Sequence, residues 1–250
     1  MARSSRPTDV SDGHKLKVMI ISDLHYNIAL HGRIDESVAW RWLMRFVRLQ
    51  APDLLIGLGD WGEAINRDEL TALLRVVRLW SIYGNHDYVQ VLSEAHNGDG
   101  EPVLLEDGEV RRFGGLRFGA INGVVSLTGR MKGGVPTKRP EEFIRVGRRL
   151  AGKVDVLLLH DSPRLPLPAY SSIIEDGRPQ AVEAAISEAR PRLAVCGHLH
   201  ISPCTLFRRD DGVTCARVIS SQEFKHYLVL YPGDMRLEFW REYDRVKCLP

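Results

Sequence analysis

The first third of the chain alternates short apolar runs with amphipathic segments, and this alternation constrains the fold more than any other feature. The apolar runs cover residues 16–22, 53–60 and 79–84, a length typical of buried strands. Between them, residues 33–50 and 67–77 repeat apolar side chains with a helical period. This strand–helix order predicts an α/β fold with a parallel or mixed sheet flanked by helices.

The rest of the chain predicts further strands of both orientations. Residues 104–123 carry Asp-Gly and Gly-Gly turn signals between strand-like runs, which favours antiparallel hairpins. Residues 126–140 are rich in Gly, Lys and Pro and predict a mobile loop, whose role as a lid is left open. The other expected elements are helices at 141–152 and 179–190, strands at 154–159 and 192–196, and a strand-rich segment over 201–250.

The sequence contains no internal repeat, low-complexity tract or linker. We therefore predict a single domain over residues 16–250, preceded by a flexible tail over residues 1–15 that is polar and carries Pro and Gly. This tail lacks the apolar segment of a secretory signal. No apolar run elsewhere is long enough to span a bilayer.

The charge balance does not indicate a strongly charged partner. With 34 basic and 32 acidic residues the net charge is +2, so no overall field favours nucleic acid or a membrane surface. The cysteines form no CxxC pair, which predicts reduced thiols in a cytoplasmic protein; they are Cys196, Cys204, Cys215 and Cys248. The oligomeric state is not predicted.

Each of five predicted strands ends in a residue that can bind a metal ion. Ligands bind at the carboxyl ends of strands in open α/β sheets, so these residues are expected to meet at one edge. One residue separates Asp23 from His25, and one separates His198 from His200. The two members of each pair would project to the same side of an extended segment. The full set is Asp23 and His25, Asp60, Asn85, His160, and His198 and His200.

Imidazole and carboxylate ligands in this number suit two divalent ions of Mn, Fe, Zn or Co. Two such ions and the two carboxylates leave a formal charge of about +2, enough to hold a phosphate ester and a hydroxide together. His86 is adjacent to a ligand and can work as a general acid. Taken singly, each residue has an ordinary alternative, such as a turn aspartate or a hydrogen-bonded core histidine. Their coincidence on successive strand ends favours the metal site.

These motifs resemble the signature set of the calcineurin-like metallophosphoesterases. The matching segments are Asp23-x-His25, Gly59-Asp60, Gly84-Asn85-His86-Asp87, His160 and Gly197-His198-x-His200, in order over nearly the whole chain. The resemblance implies a four-layer α/β/β/α sandwich of two mixed β-sheets flanked by helices. It also implies a dinuclear site, with Mn as the favoured metal.

The resemblance further implies a role for each residue. Asp23, His25, Asp60 and His200 would hold one ion, and Asp60 would bridge to a second ion held by Asn85, His160 and His198. A metal-bridging hydroxide would attack phosphorus, and His86 would protonate the leaving oxygen or stabilise the transition state.

The chain departs from the protein Ser/Thr phosphatases of this superfamily. Their second motif continues as Asp-x-x-Asp-Arg-Gly and their third ends in Glu, whereas this chain has Glu63-Ala64 and Asp87 at those places. Glu63 would orient His86 or be a solvated loop carboxylate. The missing arginine favours the phosphodiesterase-like branch, acting on a small or nucleotide-derived phosphate ester. The alternatives are a nuclease or DNA-repair exonuclease, a protein phosphatase, and an inactive scaffold of the same fold.

Clues to the substrate are few. Basic residues of the 126–140 loop can reach a substrate phosphate or form a solvated run; they are Arg130, Lys132, Lys138 and Arg139. Tyr170 and Arg164 follow His160 at the expected rim, and Tyr170 would stack on a base or pack internally.

Overall fold

The computed structural model describes residues 15–27, 30–31, 34–131, 134–167 and 177–247. Two six-stranded sheets form the centre of this described part of the chain. Arg164 is exposed in this structure, and Lys132 and Tyr170 lie outside the described residues, as does most of the predicted tail.

The first sheet is built on the amino-terminal strands predicted from the alternation. Strands β1 (Val18–Ile21), β4 (Leu54–Gly57) and β5 (Leu79–Ser81) run parallel to one another. Three carboxyl-terminal strands extend the sheet antiparallel beyond β1; they are β12 (His226–Tyr231), β13 (Arg236–Arg241) and β14 (Asp244–Val246). The order is β14-β13-β12-β1-β4-β5.

The second sheet has a parallel centre with an antiparallel strand at each edge. Its parallel strands are β7 (Leu116–Ile121), β8 (Val156–Leu159), β9 (Leu193–Cys196) and β11 (Thr214–Val218). At the edges, β6 (Val110–Phe113) pairs with β7 as the predicted hairpin, and β10 (Cys204–Arg208) pairs with β11. A small separate ribbon pairs β2 (Leu30–His31) with β3 (Ile34–Asp35).

Three apolar clusters hold together the four layers that the resemblance implies. Helices α1 (Ala39–Gln50), α2 (Arg67–Leu74) and α3 (Val89–Glu94) pack on the outer face of the first sheet. Helices α4 (Pro140–Arg149) and α5 (Arg178–Ala189) cover the second sheet. The third cluster fills the space between the sheets. Strands with both faces buried require apolar residues at every position, which explains the unbroken apolar runs.

Two helices differ from the predictions. The helix expected from residue 33 begins at Ala39, because residues 34–35 form β3 and Glu36–Val38 form a 3₁₀ turn capped by the Asp35 carboxylate. Helix α3 was not predicted, since its six residues are too few for a helical period to show. Helix α2 begins where the sequence indicates, at a capping box between Asn66 and Glu69.

The prediction of reduced cysteines is wrong for Cys204 among the described residues. Cys196 and Cys215 are buried free thiols, whereas Cys204 is disulfide-bonded. Among the described residues, no helix is both long and apolar enough to cross a membrane.

Candidate metal centre

The carboxyl ends of five strands, three from the first sheet and two from the second, meet at one edge of the sandwich. Two groups of potential ligand atoms lie there. Within each group, the atoms lie within 4.8 Å of one another. One group is Asp23, His25 and His200, and the other is Asp60, His160 and His198. The structure therefore brings together the residues that the sequence singles out.

Asp60 lies between the two groups. Its Oδ2 atom is 3.7 Å from His25 Nε2 and 3.3 Å from His160 Nε2. Its Oδ1 atom accepts hydrogen bonds from the backbone N–H groups of Asn85 (2.7 Å) and His86 (2.8 Å). One carboxylate oxygen is thus held by the backbone while the other faces a histidine of each group.

Asp23 is held in the same way. Its Oδ2 accepts hydrogen bonds from Ser22 Oγ (2.6 Å) and the His198 backbone N–H (2.8 Å). Its Oδ1 lies 3.2 Å from His200 Nε2 and 3.8 Å from His25 Nε2. Fixing one oxygen by hydrogen bonds leaves the other oriented toward the histidines.

Two buried atoms of this centre have no hydrogen-bond partner within the described part of the chain. They are Asn85 Oδ1 and His160 Nε2. His160 Nδ1 lies 2.8 Å from the Leu58 carbonyl and donates its proton there, so in the neutral ring the lone pair is on Nε2. That lone pair faces Asp60 Oδ2, another acceptor, across 3.3 Å. A cation between His160 Nε2 and Asp60 Oδ2 would satisfy both of these acceptors. Imidazole nitrogen and carboxylate oxygen are ligands that a divalent transition metal accepts.

The electrostatics also favour positive charge at this position. Burial alone would raise the pKa of Asp23 and of Asp60, but the surrounding histidines hold the pKa of both carboxyl groups below the usual range. Burial lowers the pKa of His160, yet Asp60 and Asp23 outweigh it and raise that pKa to about 10. The two carboxylates therefore stabilise positive charge at His160 Nε2, which can bind either a proton or a metal ion.

The backbone presents these side chains differently from the prediction. Asp23, His25, Asp60 and His198 have positive φ angles of 54°, 48°, 55° and 71°. They are not in extended segments, because β1 ends at Ile21 and β9 at Cys196, so the expected alternation of an extended chain is wrong. Left-handed residues other than glycine are uncommon and cluster at functional sites.

Two glycines are required by close approach at the centre. A Cβ atom on Gly84 would lie 2.1 Å from Asp60 Oδ1 and 2.7 Å from His160 Nε2. A Cβ atom on Gly197 would lie 2.2 Å from Asp23 Oδ2. Any larger residue at either position displaces a carboxylate of the site.

Asp87 joins the Asp60 and Gly84 loops, a role the sequence reasoning missed. Its buried carboxylate accepts hydrogen bonds from the backbone N–H groups of Asp60 (2.8 Å), Trp61 (2.7 Å) and Gly84 (2.7 Å). Burial and the charge of Asp60 raise the pKa of Asp87 to about 6. Its place directly after Gly84-Asn85-His86 is a signal that could have identified it.

Arg217 supports the loop that carries His198 and His200, and it was not among the predicted site residues. It lies on β11, is fully buried, and donates hydrogen bonds to the carbonyl oxygens of Leu199 and Ser202. It also donates to Thr205 Oγ1 (3.1 Å). An arginine inside a strand of otherwise uncharged residues is a signal that could have been used, since buried charges are rarely kept without partners.

His86 and Glu63 lie together at the rim. His86 is exposed, and its ring centroid is 5.6 Å from that of His25. Glu63 is also exposed and lines, with Asn85 and His86, a cavity of about 90 Å³.

Two larger clefts of opposite charge flank the centre. The basic cleft, of about 430 Å³, borders His198 and is lined by Arg130 and Arg178 with the hydroxyl groups of Ser126, Thr128 and Thr137. The acidic cleft, of about 450 Å³, borders His25, His86 and His200 and is lined by Glu36, Glu223, Asn27, Ser221 and Gln222.

Of the four basic residues predicted near the substrate, Arg130 faces a cleft beside the centre. Lys138 is engaged elsewhere, because its Nζ atom lies 2.8 Å from Asp107 Oδ2 and donates to the Asn122 carbonyl. Arg139 precedes α4, and its backbone N–H donates to Glu142.

Comparison with known proteins gives one match by sequence and several by fold. Residues 16–246 match the model of the calcineurin-like phosphoesterase superfamily domain. A search of curated proteins gives no match. Among solved structures, TT1561 of Thermus thermophilus is 11% identical with a TM-score of 0.62, over 91% of this chain and 99% of that protein.

Two further structures share the fold. A dimetal phosphatase from Danio rerio is 12% identical with a TM-score of 0.58, over 93% of this chain and 98% of its own. The NAD nucleotidase of Haemophilus influenzae is 12% identical with a TM-score of 0.50, over 90% of this chain and 49% of its own.

Proposed function

The chain belongs to the calcineurin-like phosphoesterase superfamily, and on that premise we propose that it is a phosphodiesterase acting on a small or nucleotide-derived ester. Metal-dependent hydrolysis of a phosphate ester is the activity that the family and the two ligand groups support. The diester preference rests on the second motif, where Asp60 is followed by no phosphate-binding arginine up to Ala64.

The placement of Asp60 between the two histidine groups is the observation that carries the metal-dependent hydrolysis in this proposal. One ion would be held by Asp23, His25, Asp60 and His200. The other would be held by Asp60, Asn85, His160 and His198. Mn is our proposed metal, and Fe, Zn or Co would suit the same ligands. A bound pair of divalent ions lowers the pKa of water and neutralises phosphate oxygens.

The chain's own residues supply the remaining steps. His86 stands at the rim beside His25, where it can donate a proton to the leaving oxygen. Glu63 shares a cavity with His86, and we propose that it orients the ring. Asp87 holds the loops of Asp60 and Gly84 at a fixed separation through three backbone hydrogen bonds. The ligands would then require little rearrangement during turnover.

A nuclease or DNA-repair exonuclease is the second candidate, and the basic cleft is the feature that favours it. A net charge of +2 argues against a long nucleic-acid channel. A protein phosphatase is disfavoured by the missing arginine. An inactive scaffold is disfavoured because every predicted ligand and His86 are present. A cytoplasmic location stays a prediction, which the disulfide at Cys204 does not support.

The test is hydrolysis of bis(p-nitrophenyl) phosphate and p-nitrophenyl phosphate after chelator treatment and refilling with Mn²⁺. We expect activity to return with the metal and the diester to be the better substrate. Asp60→Asn should abolish the metal-dependent activity. The control variant Asp210→Asn, which changes an exposed residue between β10 and β11, should retain it. Failure of every divalent metal to restore activity in folded protein would support the scaffold. A monoester preference would support a phosphatase.

A further inference from the structure

The acidic cleft and the basic cleft differ in the charges that line them. Two carboxylates line the acidic cleft, Glu36 and Glu223, and none of the described residues that line it is a lysine or arginine. The basic cleft has the reverse composition, with Arg130 and Arg178 and no acidic residue among its described lining. A substrate lying across the centre therefore meets opposite charges at its two ends.

The acidic cleft also contains polar atoms that lack partners. Ser221 and Gln222 both line it, and Ser221 is only 7% exposed. Ser221 Oγ and Gln222 Nε2 are buried and have no hydrogen-bond partner among the described residues. Buried polar groups in folded proteins are nearly always hydrogen-bonded, so such atoms at a cleft indicate a missing ligand or water.

The segment that carries these two residues is rigidly joined to the centre. The backbone N–H of Ser220 donates to the Ser22 carbonyl (2.8 Å), and Ser220 Oγ accepts from the Ser22 N–H (3.3 Å). The Ser221 carbonyl accepts from the N–H groups of Phe224 (3.0 Å) and Lys225 (2.7 Å). Ser221 therefore keeps a fixed position relative to Asp23, the neighbour of Ser22.

We propose that the acidic cleft is the leaving-group subsite and that it selects an uncharged polyol, whose hydroxyl groups bond to Ser221 and Gln222. This inference rests on the proposed phosphoesterase function. His86 lines both this cleft and the smaller cavity that it shares with Glu63. Of the two, the acidic cleft is the larger and also borders His25 and His200, so we place there the oxygen that His86 protonates. In the step, oxygen from water bonds to phosphorus and the phosphorus–oxygen bond to the polyol breaks. The polyol oxygen takes its proton from His86, and water releases one to solvent.

The charges of this cleft disfavour an anionic leaving group. A carboxylate or second phosphate in this cleft would be repelled by Glu36 and Glu223, whereas hydroxyl groups can donate hydrogen bonds to them. Asn27 Nδ2 donates to Glu36 Oε2 (2.7 Å), which fixes that carboxylate at the cleft wall. Any anionic part of the substrate would lie instead on the side of Arg130 and Arg178.

The test compares two esters that differ at one carbon. Glycerol 3-phosphate and 3-phosphoglycerate have the same length, and their leaving groups end in CH₂OH and COO⁻ respectively. Both are offered as the monoester and as the methyl diester, with the matching p-nitrophenyl ester as reference. We expect kcat/KM for the glycerol ester to exceed that for the glycerate ester by about 10-fold or more at low salt, and the ratio to fall as salt rises.

Variants assign the selectivity to named groups. Glu223→Gln should reduce the glycerol-to-glycerate ratio by about 3-fold or more, because it removes one repelling charge. Glu141→Gln removes an exposed carboxylate in the first turn of α4 and should leave the ratio unchanged. Ser221→Ala should lower the ratio of the glycerol ester to the p-nitrophenyl ester by about 5-fold or more, the scale of one hydrogen bond.

A binding measurement separates recognition from turnover. Metal-loaded His86→Ala protein is titrated calorimetrically with both esters, and its Kd values should show the same preference. Equal Kd values and equal kcat/KM in a protein that hydrolyses the p-nitrophenyl ester would overturn the subsite and leave the proposed function intact. No hydrolysis of any ester would instead overturn the proposed function. A preference for ethanolamine phosphate over glycerol 3-phosphate would overturn the polyol assignment in favour of a cation.

Discussion

Asp87 Oδ2 accepts a 2.8 Å hydrogen bond from the backbone N–H of Asp60, the residue that lies between the two histidine groups. The same oxygen accepts from the Gly84 N–H, and Oδ1 accepts from Trp61. One buried carboxylate thus fixes the loops that follow β4 and β5.

Asp87→Asn should destabilise both the fold and the metal centre. An amide has one acceptor oxygen, so its NH₂ group would face at least one backbone donor and leave it unsatisfied. We expect the free energy of unfolding to fall by about 1–3 kcal/mol. Urea unfolding measures the change, with Asp210→Asn as the exposed control. A variant as stable as the wild type would show that the three hydrogen bonds contribute little.

His86→Ala should lower turnover by roughly 10²–10⁴, the range of general acid catalysis. Metal content should be kept, because His86 contacts Asp60 Oδ1 through its backbone N–H, which alanine retains. The loss should be larger for an alkyl ester than for a p-nitrophenyl ester, whose leaving group departs without a proton. Steady-state kinetics with metal analysis checks this, and equal losses for both esters would argue against a proton donor.

Arg217→Met should weaken metal binding by about 10–100-fold without touching a ligand, the range for residues that orient metal ligands. It would leave the Leu199 and Ser202 carbonyl groups without their donor and loosen the loop of His198 and His200. Arg217→Lys should restore affinity only in part, because an ammonium lacks the planar fork. Competition with a chelator gives the metal Kd. Unchanged affinity in Arg217→Met would remove Arg217 from the support of the site.

Asp211, which lies between β10 and β11 of the second sheet, should make the stability of the protein depend on pH. Hydrogen bonds from Arg209, and then from Ser187, lower the pKa of Asp211 from 3.8 to about 2. A carboxyl group with a lowered pKa in the folded state stabilises the protein above the unfolded-state pKa. That contribution is lost as pH falls from about 4 through about 2.

The comparison is between wild type and Asp211→Asn. Because Asp211 is about one-third exposed, the difference in unfolding free energy at pH 7 should be only about 1 kcal/mol or less. It should shrink toward zero near pH 2 in urea titrations. A difference that persisted at low pH would attribute the effect to packing.

The strands and the ligand residues could be predicted from the sequence, whereas the backbone conformation of the site could not. Runs such as 16–22 indicate strands because both of their faces are buried, and glycine turn signals indicate the β6–β7 hairpin. The ligand residues could be predicted because each follows a strand. The left-handed conformations of four of them could not be predicted, because loop geometry depends on contacts with other loops. One such contact is the hydrogen bond from the Asp23 N–H to the Gly59 carbonyl.

The supporting residues were missed for the same reason. Asp87 acts on Asp60, a residue far from it in the chain, and Arg217 acts on Leu199 across two neighbouring strands. Neither relationship leaves a periodic pattern in the sequence. Ser221 and Gln222 were missed because they lie in an irregular segment between β11 and β12, where no motif marks them.

The candidate ligands come from both sheets, Asp23, His25, Asp60 and Asn85 from the first and His160, His198 and His200 from the second. Under our assignment each ion would bind residues of both, and would therefore act as a cross-link between the halves of the sandwich. Since a ligand that binds only the folded state adds about 2.7 kcal/mol of stability at a concentration 100 times its Kd, Tm should rise with free metal and fall on chelation. The melting temperature of this protein would then report the metal supply of its surroundings.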